Sequence, residues 1–420
     1  MLIPLEQAEV ETCGGKAAGL AAMLRAGLPV PGGFVVPFTA YRAAVRDLEQ
    51  SGAVRNGPPA TSSLRPDEVL PRPLRDAASV ALARLGPGAV AVRSSATGED
   101  SDQASAAGQY ESTLAVDGLP AVARAVRDCW ASLHSTRATS YRSRDRQEKS
   151  SAEDPAMAVV VQRHVDADVS GVMFTRTSPA GATTIESVWG LGPSVVAGTV
   201  TPDTYRVGAD GTVVSTVADK RTRLDRTGPE LRVHEVADDS RRRPTLDAVQ
   251  AIQLAALGDR VAAALGGPQD IEWAVEDGRV WLLQARPITV APPPAASPPA
   301  SPPPAASPGG TSCGTVILVG TPGSNGTAVG PARVVRGAPD FDRVQPGDIL
   351  VCPFTDPAWT PLLGLVAGVV TETGGVLSHA AIVAREHGIP AVLGVPAATT
   401  TIPDGATVTV DATAGTVSTG

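Results

Sequence analysis

The sequence predicts an α/β (α+β) fold divided between two bodies, and three observations carry that prediction. Residues 1–290 alternate helical and extended hydropathy patterns. Residues 291–310 read APPPAASPPASPPPAASPGG, where nine of twenty positions are proline and none is charged, so the stretch builds no core and serves as a semi-rigid tether. The residues that follow hold six short strand-like runs and one helical segment. At roughly 150 residues per domain, a length of 420 residues agrees with two or three domains.

In the first body, Lys16–Arg25 is rich in alanine and leucine and stops before Gly27, which predicts a helix, and Gly33–Val36 is extended. Arg93 is expected to end an apolar strand, and Pro120–Tyr141 has helical spacing. Runs at Ala158–Val161, Gly171–Phe174, Thr183–Val188 and Val280–Leu283 predict strands, with a helix from Thr245 to Leu265 and a subdomain break near residues 170–180. Two strands in Gln269–Thr289, QDIEWAVEDGRVWLLQARPIT, meet at Glu276, Asp277 and Gly278, a hairpin signal. Alternation puts Gln284 and Arg286 on one face. After the tether, strands are expected at Ile317–Val319, Ala332–Val335, Ile349–Val351, Gly368–Val370, Ala391–Gly394 and Thr407–Val410, and a helix at Ser378–His387.

Composition removes whole classes of function. A net charge of −8 gives no general attraction to nucleic acid or anionic lipid, so neither is an expected partner and any phosphate-bearing ligand must be held locally. No stretch approaches the roughly 18 uninterrupted apolar residues of a membrane span. The opening MLIPLEQAEVETCGGK places acids where a secretory signal needs a basic flank, so a cytoplasmic protein is expected. Cys13, Cys129, Cys313 and Cys352 form no C-x-x-C pair, which argues against a disulfide framework or a cysteine zinc site and reads as small core residues. Only Lys16, Lys149 and Lys220 are lysine among 35 basic residues, which draws notice to Lys16 in a glycine loop.

That loop, CGGKAAGL at Cys13–Leu20, sets two glycines before a lysine at the start of a small-residue helix, so amide N–H groups and an ammonium can face one anion. It lacks the spacing of a Walker A loop, and a helix-start turn with a surface lysine is the alternative. Ala91–Thr113, AVRSSATGEDSDQASAAGQYEST, is rich in hydroxyls and glycine beyond Arg93; it is either a flap that closes over a polyphosphate or a solvated loop. Glu272 with Gln284 and Arg286 places a carboxylate, an amide and a guanidinium where Mg²⁺ and phosphate oxygens can be held; a surface ion pair is the alternative. The sharpest feature is TGGVLSHAAIVAREHG, in which Ser378 is a candidate N-cap and His379 occupies the first helical turn. A neutral imidazole there can attack phosphorus, and the phosphohistidine formed would be stabilised by the helix N-terminus. A structural role is the ordinary alternative for one histidine; His134, His164, His234 and His387 are poorer candidates.

With these residues in view, the whole chain resembles the phosphoenolpyruvate-synthase and rifampicin-phosphotransferase superfamily. Residues 1–290 resemble its ATP-grasp nucleotide-binding region through GGKAAGL, VRSSATGED, AGQYEST, ESVWGLG, DIEWA and LLQARPIT, and residues 311–420 resemble its swivelling phosphohistidine domain through GTAVGPARVV, FTDPAWTPLL and TGGVLSHAAIVAREHGIPAVLG. The resemblance implies that Lys16 and Arg93 contact ATP phosphates, that Gly108 and Ser112 lie in a closing loop, and that Gln162 lies near the adenine. It also implies that Glu272 and Gln284 serve Mg²⁺ and nucleotide, that Arg286 meets phosphate, and that His379 carries the β-phosphate from ATP to an acceptor, with AMP and inorganic phosphate released. DPAWTPL sits closer to the rifampicin-phosphotransferase branch, whereas Ser112 stands where threonine is usual and Glu372–Thr373 precedes the glycine pair.

One departure is large. Rifampicin phosphotransferases carry an antibiotic-binding domain between these regions, and phosphoenolpyruvate synthases a pyruvate-binding barrel after the histidine domain; the sequence matches neither, so the donor half and the carrier are expected without an acceptor site. The expectation is an ATP-dependent dikinase-type phosphotransferase whose acceptor is an unidentified small molecule. The alternative is an autophosphorylating phosphocarrier or regulatory subunit that needs a separate acceptor-binding protein, and a degenerate nucleotide-binding protein is disfavoured by the intact residue set. Shortening Ala291–Gly310 to about five residues is expected to spare ATP binding while slowing phosphorylation of His379 or its discharge, since roughly 15 Å of reach does not span two separated sites; unchanged single-turnover rates for both steps would show that the length is immaterial.

Overall fold

Antiparallel pairing organises the described residues of the first body into two large sheets and a two-stranded ribbon, Thr222–Thr227 with Glu230–Glu235. The computed structural model describes residues 1–50, 70–97, 112–133, 155–288, 290–291 and 317–419; Gly108, Cys313, Lys149, residues 134–141 of the expected helix and nearly all of the tether lie outside them. The first sheet runs in the order Ile3–Pro4, Gly33–Val36, Met157–Arg163, Val90–Ala96, Ser112–Val116. Its central strand, MAVVVQR, is buried except at Arg163, the continuous apolar run of a strand covered on both faces. Arg93 lies in the middle of Val90–Ala96 rather than at its end, because the hydroxyl-bearing Ser94 and Ser95 are buried and still pair with Val159 and Ala158.

The helix Val10–Arg25 is interrupted at Gly14, where φ is 80°. A Cβ there would stand 2.6 Å from Ser95 Oγ and 2.9 Å from its carbonyl oxygen, so both the left-handed backbone and the close approach demand glycine. Helix Gly118–Ser132 begins two residues before the expected Pro120. Cys13, Cys129 and Cys352 are buried thiols, as their apolar settings implied.

The second sheet has six antiparallel strands in the order Arg279–Pro287, Gln269–Glu276, Val169–Phe174, Thr183–Trp189, Asp203–Val207, Val213–Thr216. The chain changes sheets between Arg163 and Val169, ahead of the 170–180 interval expected from sequence, because Val169–Phe174 is itself a full strand of the second sheet. The expected hairpin forms with Glu276 opposite Arg279 and positive φ at both Asp277 (51°) and Gly278 (74°), the geometry of a type I′ turn. Helix Ala248–Leu265 starts after a capping box made by Asp247 and Gln250. Its onset is three residues later than expected because the Thr245 N–H and hydroxyl both bond Asp203 Oδ2, at 2.8 and 2.9 Å.

The second body is one eight-stranded sheet, in which Thr327–Val334, Ile349–Cys352, Gly368–Thr371 and Ala391–Leu393 are successive parallel neighbours. Parallel strands require a crossover, and the link from Gly368–Thr371 to Ala391–Leu393 is the helix His379–His387. His379 thereby sits beyond the carboxyl end of a parallel strand, where open α/β sheets place their chemistry. Two apolar clusters cover the sheet's faces, one holding Leu350, Leu363 and Ala384, the other Val351, Val370 and Val410. Leu377 and Ile382 instead join Val172, Phe174, Val188, Val195 and Val200 of the first body in a shared cluster, so the two bodies are docked. No helix among the described residues is long and apolar enough to cross a membrane.

One polar knot lies inside the first body. Lys220 and Asp203 are both fully buried with Nζ 2.6 Å from Oδ1, and Asp203 also accepts the N–H of Ala218 at 2.9 Å in addition to its bonds from Thr245. Removing one partner strands the other charge in a dry interior. Asp203→Ala is therefore expected to destabilise the protein by about 3–5 kcal/mol, read as a lower urea midpoint at constant m-value; a shift under about 1 kcal/mol would show that the pair is solvated.

Candidate active site

The glycine-loop lysine is placed by the break at Gly14. Ser95 Oγ donates to the Cys13 carbonyl at 2.6 Å and accepts the Ala17 N–H at 3.3 Å, tying the loop to the neighbouring strand on either side of Lys16. Lys16 then lines a cavity of about 610 Å³ that also receives Arg93, Ser112, Gln162, Glu272, Gln284, Arg286 and His379. Every sequence-predicted site residue within the described regions meets in this one space.

The hairpin supplies a rectangle of four polar side chains. Glu272 stands opposite Gln284 and Asp270 opposite Arg286, and a bulge follows between Glu272 and Trp273. Residues two apart share a face of a strand, so all four point the same way, into the cavity that they line. Arg93 Nη1 donates to Glu272 Oε2 at 3.0 Å and to Gln284 Oε1 at 3.5 Å. Arg286 donates through Nε and Nη2 to Asp270 Oδ2 at 2.9 and 2.7 Å. The ion pairs are real, yet they form a cavity wall rather than an outer surface. Asp270 was not among the residues singled out, although its position two before Glu272 could have flagged it.

Among the described residues no group of three or more His, Cys, Asp or Glu side chains could hold a metal ion alone. Glu272 and Gln284 nevertheless offer a carboxylate and an amide oxygen side by side, the hard donors that Mg²⁺ shares with phosphate oxygens and water. The residues fit that ion in company with a polyphosphate, with Arg93 then free to turn to the phosphates.

Gln162 donates through Nε2 to the Pro31 carbonyl at 3.0 Å, so its amide is braced against the chain as well as facing the cavity. The wall then continues through Arg163, His164, Val165 and Ala167, the segment where the chain passes between sheets. His164 lies there with its side chain 3% exposed and Nδ1 3.3 Å from Asp166 Oδ1, and neither ring nitrogen has a hydrogen-bond partner among the described residues. Burial pushes its pKa down, against the partial upward pull of Asp166, so the ring is neutral at neutral pH. Sequence reading had set His164 aside as a residue following a strand, because only the tertiary change of sheet brings it to the cavity.

His379 opens its helix and is 4% exposed. Thr355 Oγ1 lies 2.9 Å from Nδ1 and Thr360 Oγ1 3.2 Å from Nε2. Ser378 holds the N-cap position, but its hydroxyl donates to the Gly375 carbonyl at 2.8 Å and makes no capping bond; the expected cap is replaced by a brace on the preceding turn. Thr355 and Thr360 were missed as individuals, though both fall within FTDPAWTPLL. With Thr355 buried and Thr360 only partly so, the two hydroxyls can fix a ring with a proton on Nδ1 and a lone pair on Nε2.

Two family models match the chain. Residues 10–302 match the family "Pyruvate phosphate dikinase, AMP/ATP-binding domain" and residues 344–415 match "PEP-utilising enzyme, mobile domain". The chain is 35% identical over 435 residues to the probable phosphoenolpyruvate synthase of Methanothermobacter thermautotrophicus, covering 97% of this chain and 61% of that protein. It is 37% identical over 471 residues to the phosphoenolpyruvate synthase of Aeropyrum pernix (96% and 56%) and 35% identical over 482 residues to that of Pyrococcus furiosus (98% and 57%). The chain thus spans 56–61% of the length of these relatives. Lys16→Ala is expected to weaken MgATP binding at least tenfold, about 1.4 kcal/mol, in isothermal titration calorimetry; an unchanged Kd would remove Lys16 from the nucleotide site.

Proposed function

The chain belongs to the phosphoenolpyruvate-synthase and pyruvate phosphate dikinase superfamily, and from that premise we propose that it is an ATP-dependent phosphotransferase of the dikinase type in which His379 carries the phosphoryl group. One observation carries the reading: His379, on the second body, lines the same cavity as Lys16, Arg93, Glu272 and Gln284 on the first.

With its proton on Nδ1, the ring donates to Thr355 Oγ1 and offers as nucleophile the Nε2 lone pair, once Thr360 Oγ1 turns away from it. Nε2 forms a bond to the β-phosphorus of ATP as the bond to AMP breaks, and water takes the γ-phosphoryl group away as inorganic phosphate. The β-phosphoryl group stays on His379 until an acceptor's oxygen bonds to its phosphorus, the acceptor's proton departs, and the Nε2–phosphorus bond breaks to return the free imidazole. ATP, water and acceptor become AMP, phosphate and phosphorylated acceptor. Lys16, Arg93 and Arg286 place positive charge beside the phosphate oxygens, where negative charge develops, and the N-terminal end of the helix after Ser378 favours the phosphorylated ring. Mg²⁺ held by Glu272 and Gln284 supplies charge neutralisation on the polyphosphate when bound. Exclusion of water by the docked second body protects the intermediate from hydrolysis. The acceptor is an unidentified small molecule, and the protein works in the cytoplasm.

Incubation with Mg²⁺ and ATP labelled at the β-phosphate is expected to put acid-labile label on the peptide containing His379, to release AMP, and to give no label in His379→Ala. ADP as sole nucleotide product with unlabelled protein would end the proposal. Supplying labelled protein with size-fractionated cell extract then decides the acceptor: transfer to a compound below about a kilodalton supports the enzyme, and transfer that needs a macromolecular fraction supports a phosphocarrier serving a separate protein.

A further inference from the structure

Glu186, in the strand Thr183–Trp189, is fully buried although neither sheet neighbour pairs with its charge. Its carboxylate is directed across the junction between the bodies, where Oε1 accepts the Val376 N–H at 2.6 Å and Oε2 the Leu377 N–H at 3.0 Å. These amides lie three and two residues before His379. The approach is close enough that a Cβ on Gly375 would stand 2.3 Å from Oε1 and 2.5 Å from Oε2. A second strap runs beside it, the Thr373 hydroxyl donating to the Gly198 carbonyl at 2.6 Å. On the far side of the same turn, Arg385 Nη1 donates to the Val376 carbonyl at 2.8 Å and the Gly323 carbonyl at 2.9 Å. The turn that launches the histidine helix is held by the second body through Arg385 and by the first body through Glu186.

We infer that Glu186 is a positioning residue for phosphoryl transfer: its carboxylate is the seat onto which the second body docks, and by taking the Val376 and Leu377 amides it sets His379 at the nucleotide cavity. This deepens the reading above, on which its consequence for phosphorylation rests. A carboxylate with both oxygens aimed at amide N–H groups presents an acceptor pair that fits one peptide turn in one register, whereas the surrounding apolar cluster is non-directional.

Because the two bonds exist only when the bodies are together, docking is linked to protonation. Burial in the docked state pushes Glu186 up to about 7, opposed by its two amide bonds and by Arg385, the charged group facing it; Arg385 is faced in turn by Asp270 and Glu386. An undocked Glu186 meets water and returns to the ordinary carboxylate range near 4.3. The docked form binds its proton more tightly, so docking is strongest below the ordinary pKa, where the protonated carboxyl still accepts both amides through lone pairs on its two oxygens, and weakens as pH rises through about 7 and the charge is left in a buried setting.

The test uses the whole chain without nucleotide and reads amide hydrogen exchange, corrected for intrinsic rates, at Val376 and Leu377. Glu186→Ala, and separately Gly375→Ala from the opposite side, are expected to raise that exchange at least tenfold while peptides of Gln269–Glu276 and Arg279–Pro287 keep wild-type protection and the MgATP Kd stays within twofold. The double variant is expected to be no worse than Glu186→Ala alone, since the new methyl then meets no carboxylate. Wild-type exchange at the two amides should rise between pH 5 and 7.5, and Glu186→Gln should flatten that rise. Single-turnover labelling of His379 should slow at least tenfold in Glu186→Ala. Unchanged protection at Val376 and Leu377 in both single variants overturns the inference. Lost protection in the variants of a protein whose wild type never labels His379 would leave the seat standing and overturn the phosphotransfer reading instead.

Discussion

The proposed transfer sets one constraint on which the rest depends: the His379 ring must be shielded from water while it attacks, and must still be able to leave. The two bodies meet around that ring. Leu377 and Ile382 from the second body complete an apolar cluster begun by Val172, Phe174, Val188, Val195 and Val200 of the first. The contact is directional where Glu186 meets the Val376 and Leu377 amides and apolar around it.

The cavity itself is built so that its charges are provisionally satisfied. Arg93 rests on Glu272 and Gln284, and Arg286 rests on Asp270. Unpaired groups at these depths would cost stability, and pairs between partly exposed partners, such as Arg93 at 12% and Glu272 at 27%, are weak enough to be exchanged for other polar partners. The Lys220–Asp203 pair shows the contrast: with both partners wholly enclosed, it serves the architecture and not the chemistry.

Much of this was legible before any coordinates. Alternation and the Asp277–Gly278 turn specified the hairpin, hence the shared face of Gln284 and Arg286, and small residues after Ser378 specified the helix that begins at His379. Residues whose roles arise from long-range contact were not legible. Glu186 is one acid within a β-branched run, and nothing local says that its oxygens meet amides 190 residues away. His164 acquires its place only because the chain changes sheets just after it, and Thr355 and Thr360 act on a ring 24 and 19 residues downstream. Boundaries moved for similar reasons: Thr245 left the expected helix because Asp203, 42 residues earlier, takes its N–H and hydroxyl.

The rectangle of Asp270, Glu272, Gln284 and Arg286 hangs on the register that the strands hold beyond the bulge between Glu272 and Trp273. Adding or removing one residue on either side of the turn would send half of the set through the sheet to its opposite surface, leaving acids without their guanidinium and amide neighbours. Exchange of one side chain for another leaves the geometry intact, whereas an insertion or deletion dismantles it at a stroke. The hairpin thus tolerates a changed side chain far better than a changed length.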